Sequence, residues 1–147
     1  MFKLVYVVVL FMVHIPTGAI KKSSADISNE CLHCICMVES DCKDPKCVMD
    51  LGSLSCGPYQ IKDPYWNDCG KPGPSWKECA SNKTCAEYCM RQYRIRYQNR
   101  IGSCSRDCEF QARLHNGGPN GCMTRKNSTD VYWAKVKKCL ETGLPWR

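Results

Sequence analysis

Apolar residues recur at helical spacing in three segments of the second half of the chain. The spacing predicts helices over residues 82–99, 106–115 and 129–141. The first presents one face formed by Cys85, Cys89, Tyr93 and Tyr97. One side of the second carries Cys104, Cys108, Ala112 and His115. The third is expected to bury Trp133, Val136 and Leu140. The Asn-Gly-Gly-Pro run at 116–119 ends the second helix, because its residues are flexible or stop a helix.

The first half of the chain mixes a short helix with extended segments. Residues 32–41 are expected to form a helix that carries Glu39 near its end. Residues 42–47 are expected to form a loop, because the residue before Pro45 avoids helical backbone angles.

The pattern then changes to alternation with a period of two. Leu54 alternates with Cys56, Tyr59 alternates with Ile61, and a Gly-Pro pair separates them. This predicts two short strands joined by a turn, with Lys62 closing the second strand. Residues 69–76, which are rich in Pro and Gly, are predicted as a loop. The pattern as a whole predicts a mainly helical α+β domain with one small β-hairpin.

The amino terminus carries the longest apolar run. Lys3 precedes an unbroken apolar segment over residues 4–13, and small residues follow at 17–19. Such a run is too short to span a bilayer and is typical of a cleaved secretory signal peptide, which we assign to residues 1–19. A membrane anchor is the alternative interpretation. Residues 20–30 form a short segment after the cleavage site, and we expect a secreted, extracellular protein without a membrane span.

All 14 cysteines lie beyond residue 30. An even number in a secretory context predicts seven disulfides, although the sequence cannot select the pairing. The stretch "CLHCIC" with His33 offers a competing zinc site. Zinc needs reduced thiolates, however, and an exported protein meets an oxidising compartment, so we expect no metal and no cofactor. The expected disulfide residues are Cys31, Cys34, Cys36, Cys42, Cys47, Cys56, Cys69, Cys79, Cys85, Cys89, Cys104, Cys108, Cys122 and Cys139.

The net charge of +7 favours acidic partners such as bacterial walls or anionic membranes. Loss of Lys3 with the signal peptide lowers it by one. The basic residues are scattered, apart from "RQYRIRYQNR" at 91–100, and no nucleic-acid motif accompanies them. We interpret that run as a solvated helix face and expect no nucleic-acid partner.

Two carboxylates flank the cysteine-rich stretch at 36–50. Glu39 lies on the predicted helix and Asp50 lies before a Gly-Ser pair. Glycoside hydrolysis needs such a pair, one acid that donates a proton and one carboxylate that stays ionised. The apolar neighbours Met37 and Val38 would favour the protonated form of Glu39, and polar surroundings would keep Asp50 charged. Taken alone, a Glu/Asp pair is more often a solvated surface pair.

Longer blocks strengthen this interpretation. "CLHCICMVESDC", "MDLGSLSCGPYQIKDPYWNDCGKPG", "SWKECA", "CAEYCMRQYRIRY" and "ARLHNGGPNGC" together resemble invertebrate-type lysozymes, a family that includes the leech destabilases. The resemblance runs from about Cys31 to Trp133, and it implies a lysozyme-like fold with one lysozyme domain over residues 31–147.

The resemblance also implies a reaction and the residues that perform it. Glu39 matches the general acid of the family, and Asp50 matches its nucleophile or charge stabiliser. Lys62, Tyr93 and His115 match residues that contact the sugar. The family cleaves the β-1,4 bond between N-acetylmuramate and N-acetylglucosamine in bacterial peptidoglycan, and some members also cleave chitin oligomers.

The chain departs from the family pattern near both carboxylates. Asp41 stands where glycine is common, and the loop at 42–47 is about one residue shorter than in relatives. These departures put in doubt the reach of Asp50, although neither carboxylate is lost.

Two alternatives to a dedicated lysozyme remain open. The resemblance to destabilases implies a second, isopeptidase activity on ε-(γ-Glu)-Lys crosslinks that uses Ser55, Lys62 and His115. That chemistry requires Ser55 and Lys62 within hydrogen-bond reach. A non-enzymatic cationic antimicrobial protein, acting through its charge alone, is the other alternative.

Two sequons, at Asn82 and Asn127, are candidate N-glycosylation sites. Asn82 could equally lead into a helix, and Ser128 or Thr129 could cap one. The tryptophans Trp66, Trp76 and Trp133 are expected in the core rather than on a sugar, and Trp146 has no assigned role.

Overall fold

The computed structural model describes residues 26–105, 107–123 and 127–143. The elements follow in chain order, and two 3₁₀ turns lie at Gln98–Arg100 and Gly118–Asn120. They are α1 (Asn29–Ser40), β1 (Cys47–Asp50), β2 (Ser53–Cys56), α2 (Asp63–Asp68), α3 (Trp76–Ser81), α4 (Lys83–Arg96), α5 (Cys108–Gly117) and α6 (Asn127–Thr142). The mainly helical α+β architecture with one hairpin is confirmed. The predicted signal peptide and Trp146 lie outside the described residues.

Helix α1 begins three residues before the predicted start. The Ser28 side chain accepts a hydrogen bond from the Cys31 amide, so it caps the helix at its amino end. The helix ends where Asp41 adopts a left-handed conformation with φ of 56°. Glu39 therefore lies in the last turn of α1.

The hairpin exists, but the prediction placed it about seven residues too late. Strand β1 pairs with β2 in antiparallel register, with Asp50 opposite Ser53. The turn residues Leu51 and Gly52 both have positive φ, 47° and 79°, as the two-residue type I′ turn requires. Residues 59–61, predicted as a strand, contribute only an isolated bridge between Cys56 and Ile61. The alternation of Leu54 and Cys56 predicted β2 correctly. It could not identify which neighbouring segment pairs with β2.

Helices α2 and α3 were missed by the periodicity argument. Each has six residues, fewer than two turns, so an apolar period of 3.6 has no room to show. Local signals do mark them. Pro64 lies in the first turn of α2, and the Ser75 hydroxyl accepts a hydrogen bond from the Glu78 amide at the start of α3.

The predicted buried face of α6 is partly wrong. Val136 is fully buried, but Trp133 is half-buried and Leu140 is 37% exposed. The buried positions are instead Thr129, Tyr132, Val136 and Cys139. Cys139 forms a disulfide with Cys34 in α1, so this bridge joins the buried face of α6 to α1.

All seven predicted disulfides form. The pairs are Cys31–Cys108, Cys34–Cys139, Cys36–Cys42, Cys47–Cys56, Cys69–Cys89, Cys79–Cys85 and Cys104–Cys122. Two of them join α1 to α5 and to α6, and a third closes the hairpin. A native disulfide typically contributes about 2–4 kcal/mol, so the bridges support a core of modest size.

The basic run at 91–100 is not one solvated face. Arg94 is buried, and its guanidinium lies 4.9 Å from the centre of the Phe110 ring. Arg91 forms a 2.7 Å ion pair with Asp26. These side chains hold the fold together. Within the described ranges, no helix has the length and apolar character needed to cross a membrane.

Candidate active site

Glu39 projects from the last turn of α1 into a partly enclosed position, where its side chain is 18% exposed. The Tyr132 hydroxyl in α6 donates to its Oε1 atom at 2.6 Å. The Nε2 atom of His115 in α5 lies 3.3 Å from the same oxygen. Within the described part of the chain, Oε2 has no hydrogen bond. Tyr132 is thus the side chain that hydrogen-bonds Glu39 within the described residues, and His115 lies beside the same carboxyl oxygen.

The His115 ring is almost completely enclosed, with a side chain that is 4% exposed. Its Nε2 atom lies 3.0 Å from the backbone carbonyl of Tyr59. A carbonyl oxygen only accepts hydrogen bonds, so this contact requires the proton on Nε2. Nε2 also lies 3.3 Å from Oε1 of Glu39, but its hydrogen bond goes to the Tyr59 carbonyl. The geometry therefore defines which His115 nitrogen donates.

Tyr132 is a neutral donor. Burial raises the pKa of the Tyr132 hydroxyl well above its usual range, and the nearby Glu39 carboxylate raises it further. A phenol that does not ionise in the working pH range keeps its proton for the hydrogen bond to Glu39.

Asp50 occupies a different environment at the end of β1. Its side chain is 52% exposed and its Oδ2 atom lies 3.0 Å from the ammonium nitrogen of Lys62. The same ammonium donates to the Asp50 carbonyl at 2.9 Å and to the Ser53 hydroxyl at 2.6 Å. Lys62 precedes α2, so it links the hairpin to the helical part of the domain.

Three predicted sugar contacts meet at one cavity. Lys62, Tyr93 and His115 line a space of about 220 Å³, together with Gln60, Pro64, Tyr65, Asn116 and Gly118. Burial raises the pKa of Tyr93, which keeps its hydroxyl neutral. A larger cavity of about 670 Å³ lies beside α3 and α4. Neither carboxylate lines either cavity, but Lys62 and His115, which lie within 3.0 Å of Asp50 and 3.3 Å of Glu39 respectively, line the smaller one.

Ser55, one of the three residues of the isopeptidase hypothesis, lies in β2. It is buried, with 2% of its surface exposed. Among the described residues, the serine that contacts Lys62 is Ser53. His115 lies against Glu39 instead. The three residues proposed for the second activity are thus not joined by hydrogen bonds in this structure.

The remaining predicted positions have structural contacts. The Asn82 side chain accepts from the Cys85 amide and caps α4, while Asn127 is the exposed first residue of α6. The indoles of Trp66 and Trp76 each donate to a backbone carbonyl and pack against the core.

Sequence reasoning missed Tyr132, Tyr59 and Tyr65 as parts of the site. A signal was available for Tyr132, because positions 132, 136 and 139 are spaced i, i+4 and i+7 on one helix face. Tyr59 contributes through its backbone carbonyl. Every residue has this group, so the sequence gives no signal for the contact.

Comparisons with known proteins agree with this geometry. Residues 28–139 match the family model described as Destabilase. The lysozyme of Meretrix lusoria is 52% identical over 112 residues, which cover 76% of this chain and 89% of that protein. Invertebrate-type lysozyme 3 of Caenorhabditis elegans is 47% identical over 132 residues, covering 84% of this chain and 91% of the relative.

A solved structure shows the same fold. The crystal structure of Aeromonas hydrophila PliI in complex with Meretrix lusoria lysozyme matches with a TM-score of 0.70 and 51% identity. The match covers 76% of this chain and 89% of that chain. On the family match, the sequence identity and the shared fold, the chain belongs to the Destabilase family of invertebrate-type lysozymes.

Proposed function

We propose that this lysozyme, a glycoside hydrolase, cleaves the β-1,4 bond between N-acetylmuramate and N-acetylglucosamine in bacterial peptidoglycan, with Glu39 as the general acid. The carrying observation is that Glu39 is partly enclosed, accepts a hydrogen bond from Tyr132 at Oε1 and lies beside His115. In the proposed reaction the Tyr132 hydroxyl holds Oε1, and Oε2 is the atom that carries the proton to the leaving oxygen.

Asp50 supplies the second carboxylate. Its exposure and its ion pair with Lys62 favour the charged form, because solvent and an adjacent cation both stabilise a carboxylate. In the proposed reaction, Glu39 protonates the leaving oxygen while Asp50 traps or stabilises the oxocarbenium-like centre from the opposite face. Glu39 then takes a proton from the incoming water.

The cavity beside His115 supports the assignment of Lys62, Tyr93 and His115 as sugar contacts. The Lys62 ammonium already bonds hydroxyl and carbonyl oxygens, which are the groups that a saccharide presents. Chitin oligomers offer the same N-acetylglucosamine units and are expected as a second substrate class. The positive charge of the chain favours approach to an anionic wall.

Secretion fits both the disulfide content and the substrate. Seven disulfides indicate an oxidising compartment, and peptidoglycan of foreign bacteria lies outside the cell. The proposed signal peptide at residues 1–19 would direct the chain there, for antibacterial defence or digestion.

One experiment tests the proposal against charge-driven killing. Purified protein is added to a suspension of bacterial cell walls, and turbidity is followed for the wild type and for Glu39→Gln. A hydrolase clears the suspension and the variant does not, whereas a cationic antimicrobial protein kills cells equally in both forms. Clearing by the variant at the wild-type rate would exclude Glu39 as the acid.

The isopeptidase alternative has weaker geometric support. An ammonium that faces a carboxylate and donates to two oxygens has no lone pair with which to deprotonate a serine. A second activity on ε-(γ-Glu)-Lys crosslinks therefore stays a prediction, and the serine in reach of Lys62 is Ser53.

A further inference from the structure

Four buried side-chain polar atoms make no hydrogen bond within the described ranges, and they all belong to three neighbouring residues. They are the Tyr65 hydroxyl, both amide atoms of Gln111 and Nδ1 of His115. Buried polar groups are nearly always paired, so each exception calls for an explanation. Four in one place indicate a shared polar site.

The three side chains converge behind Glu39. Gln111 and His115 are four residues apart on α5, so they share one face of that helix. Tyr65 comes from α2, and its ring lies 5.5 Å from the His115 ring in an edge-to-face arrangement. On its other side, the Tyr65 ring stacks against Tyr93 at 3.7 Å. The hydroxyl of Tyr65 therefore cannot turn toward solvent.

The donors and acceptors of this cluster are complementary. His115 carries its proton on Nε2, so Nδ1 of the neutral ring is an acceptor. The Tyr65 hydroxyl can donate once and accept, and the Gln111 amide supplies two donors and one acceptor oxygen. Burial raises the pKa of Tyr65 well above its usual range, Tyr93 raises it further, and the facing Gln111 side chain lowers it in part. The Gln111 amide therefore lies close to the Tyr65 hydroxyl, although the two groups make no direct hydrogen bond.

We infer that Gln111 and Tyr65 form a buried hydrogen-bond relay that holds the His115 ring with its proton on Nε2, bonded to the Tyr59 carbonyl, and with Nε2 beside Glu39. Gln111 donates to the Tyr65 hydroxyl, and the hydroxyl donates to Nδ1, each through an enclosed water molecule. An occupied Nδ1 acceptor excludes the other neutral tautomer. Tyr65 and Gln111 are thereby positioning residues, and they act through His115 without touching the reacting atoms. The inference rests on the proposed role of Glu39 as the acid.

The imidazole tautomer gives a readout that a merely structural role would not change. The purified full-length secreted protein is labelled with ¹⁵N-histidine, and ring nitrogens are observed by NMR at a pH high enough for neutral imidazoles. A His33→Gln variant assigns the His115 signals. Wild-type His115 is expected to show the proton on Nε2 alone. Tyr65→Phe and Gln111→Met are expected to show the Nδ1-protonated form as well.

The matched control is Tyr88→Phe, which removes a hydroxyl from an exposed tyrosine of α4 far from the cluster. Its tautomer signals should equal those of the wild type. Wild-type protein with the proton on Nδ1, or an unchanged tautomer in both Tyr65→Phe and Gln111→Met, overturns the relay.

Stability supplies a second, independent measurement. If the Gln111 amide had no partner, Gln111→Met would leave the Tm unchanged or raise it, because an unpaired polar group is removed from the core. The relay predicts a lower Tm for Gln111→Met and for Tyr65→Phe. It also predicts that the double variant loses less than the sum of the two single losses, since both break the same chain of bonds. Additive losses, or stabilisation, count against it.

Activity separates the relay from the proposed function. Each variant is expected to lower kcat on a soluble chito-oligosaccharide about tenfold with little change in KM, the size of one lost hydrogen bond. If the tautomer changes in Tyr65→Phe and Gln111→Met but Glu39→Gln stays fully active, the acid assignment is refuted and the relay is retained. If the tautomer does not change in those variants but Glu39→Gln is inactive, the relay is refuted and the acid assignment is retained.

Discussion

The two candidate catalytic carboxylates occupy contrasting parts of the molecule. Glu39 lies on a helix that disulfides join to α5 and α6; it accepts a hydrogen bond from Tyr132 in α6 and lies beside His115 in α5. Asp50 lies at the tip of a two-stranded hairpin, half of its side chain faces solvent, and the next residue, Leu51, is 97% exposed. One carboxylate is embedded in the fold and the other is attached to its edge.

This contrast shows that the two candidate catalytic carboxylates are held in position in different ways. An isolated two-stranded hairpin is marginally stable, and an exposed ion pair contributes only about 0–1 kcal/mol. The position of Asp50 therefore depends on the Cys47–Cys56 bridge and on Lys62 together. The candidate proton donor Glu39 is held in place by packed helices. The candidate ionised partner Asp50 is held by a short hairpin that is open to solvent.

The largest effect is expected at the embedded carboxylate. Glu39→Gln keeps the shape of the side chain but has no acidic proton, so kcat should fall about 10²–10⁴-fold with little change in Tm. Cell-wall turbidity and a thermal melt measure the two quantities. Glu30→Gln, at the opposite end of α1 and exposed, is the matched control and should behave as the wild type. Equal losses in both variants would mean that charge alone matters.

The second effect concerns the hairpin carboxylate, which we predict determines the stereochemistry of the product. If Asp50 acts from the opposite face of the sugar, the product retains its anomeric configuration, which corresponds to a carboxyl separation of about 5–5.5 Å rather than about 6.5–9.5 Å. NMR of the first product from a chito-oligosaccharide distinguishes the anomers. Asp50→Asn should lower kcat about 100-fold or more, because it removes the charge that faces the developing cation. An inverted product would exclude a nucleophilic role.

A smaller effect is expected from Tyr132→Phe, which removes one donor from Glu39 and fills the same space. The loss of one hydrogen bond between neutral groups typically costs about 0.5–1.5 kcal/mol. We expect a lower Tm and a kcat reduced about tenfold, measured by thermal unfolding and cell-wall lysis. Asp50 makes no contact with Tyr132, so the anomeric outcome should not change. A variant with wild-type kcat would show that His115 alone suffices to orient the acid.

The embedded region was the easier one to predict from sequence. The three long helices α4, α5 and α6 carry apolar periods, and an even cysteine count in a secretory context predicted the seven bridges. Glu39 was placed near the end of a predicted helix over residues 32–41, and it lies in the last turn of α1. The contacts that complete its site could not be predicted. They join α1 to α5 and α6 across 76 and 93 positions, and one partner is a backbone carbonyl.

The hairpin was harder to predict for a physical reason. Its strands have four residues each, and most of β1 is exposed, so the alternation that marks a half-buried strand is absent there. The turn also uses Leu51 at positive φ, where Asn or Gly is the usual signal. Without that signal, the Gly-Pro pair at 57–58 was the more conspicuous turn.

The smallest effect on wall lysis is expected at the two hairpin serines, and these also decide the second activity. Ser53 bonds Lys62 at 2.6 Å, whereas Ser55 is buried two residues further along β2. Ser55→Ala should leave wall lysis unchanged, and Ser53→Ala should lower it about twofold, since one exposed bond to Lys62 is lost. We predict that any hydrolysis of a γ-glutamyl anilide depends on Ser53 rather than Ser55. Both variants are assayed in parallel on the anilide and on cell walls. If anilide hydrolysis is lost in Ser55→Ala but not in Ser53→Ala, Ser55 is the serine that the second activity needs. The hairpin edge would then have to open far enough to expose Ser55 to the substrate.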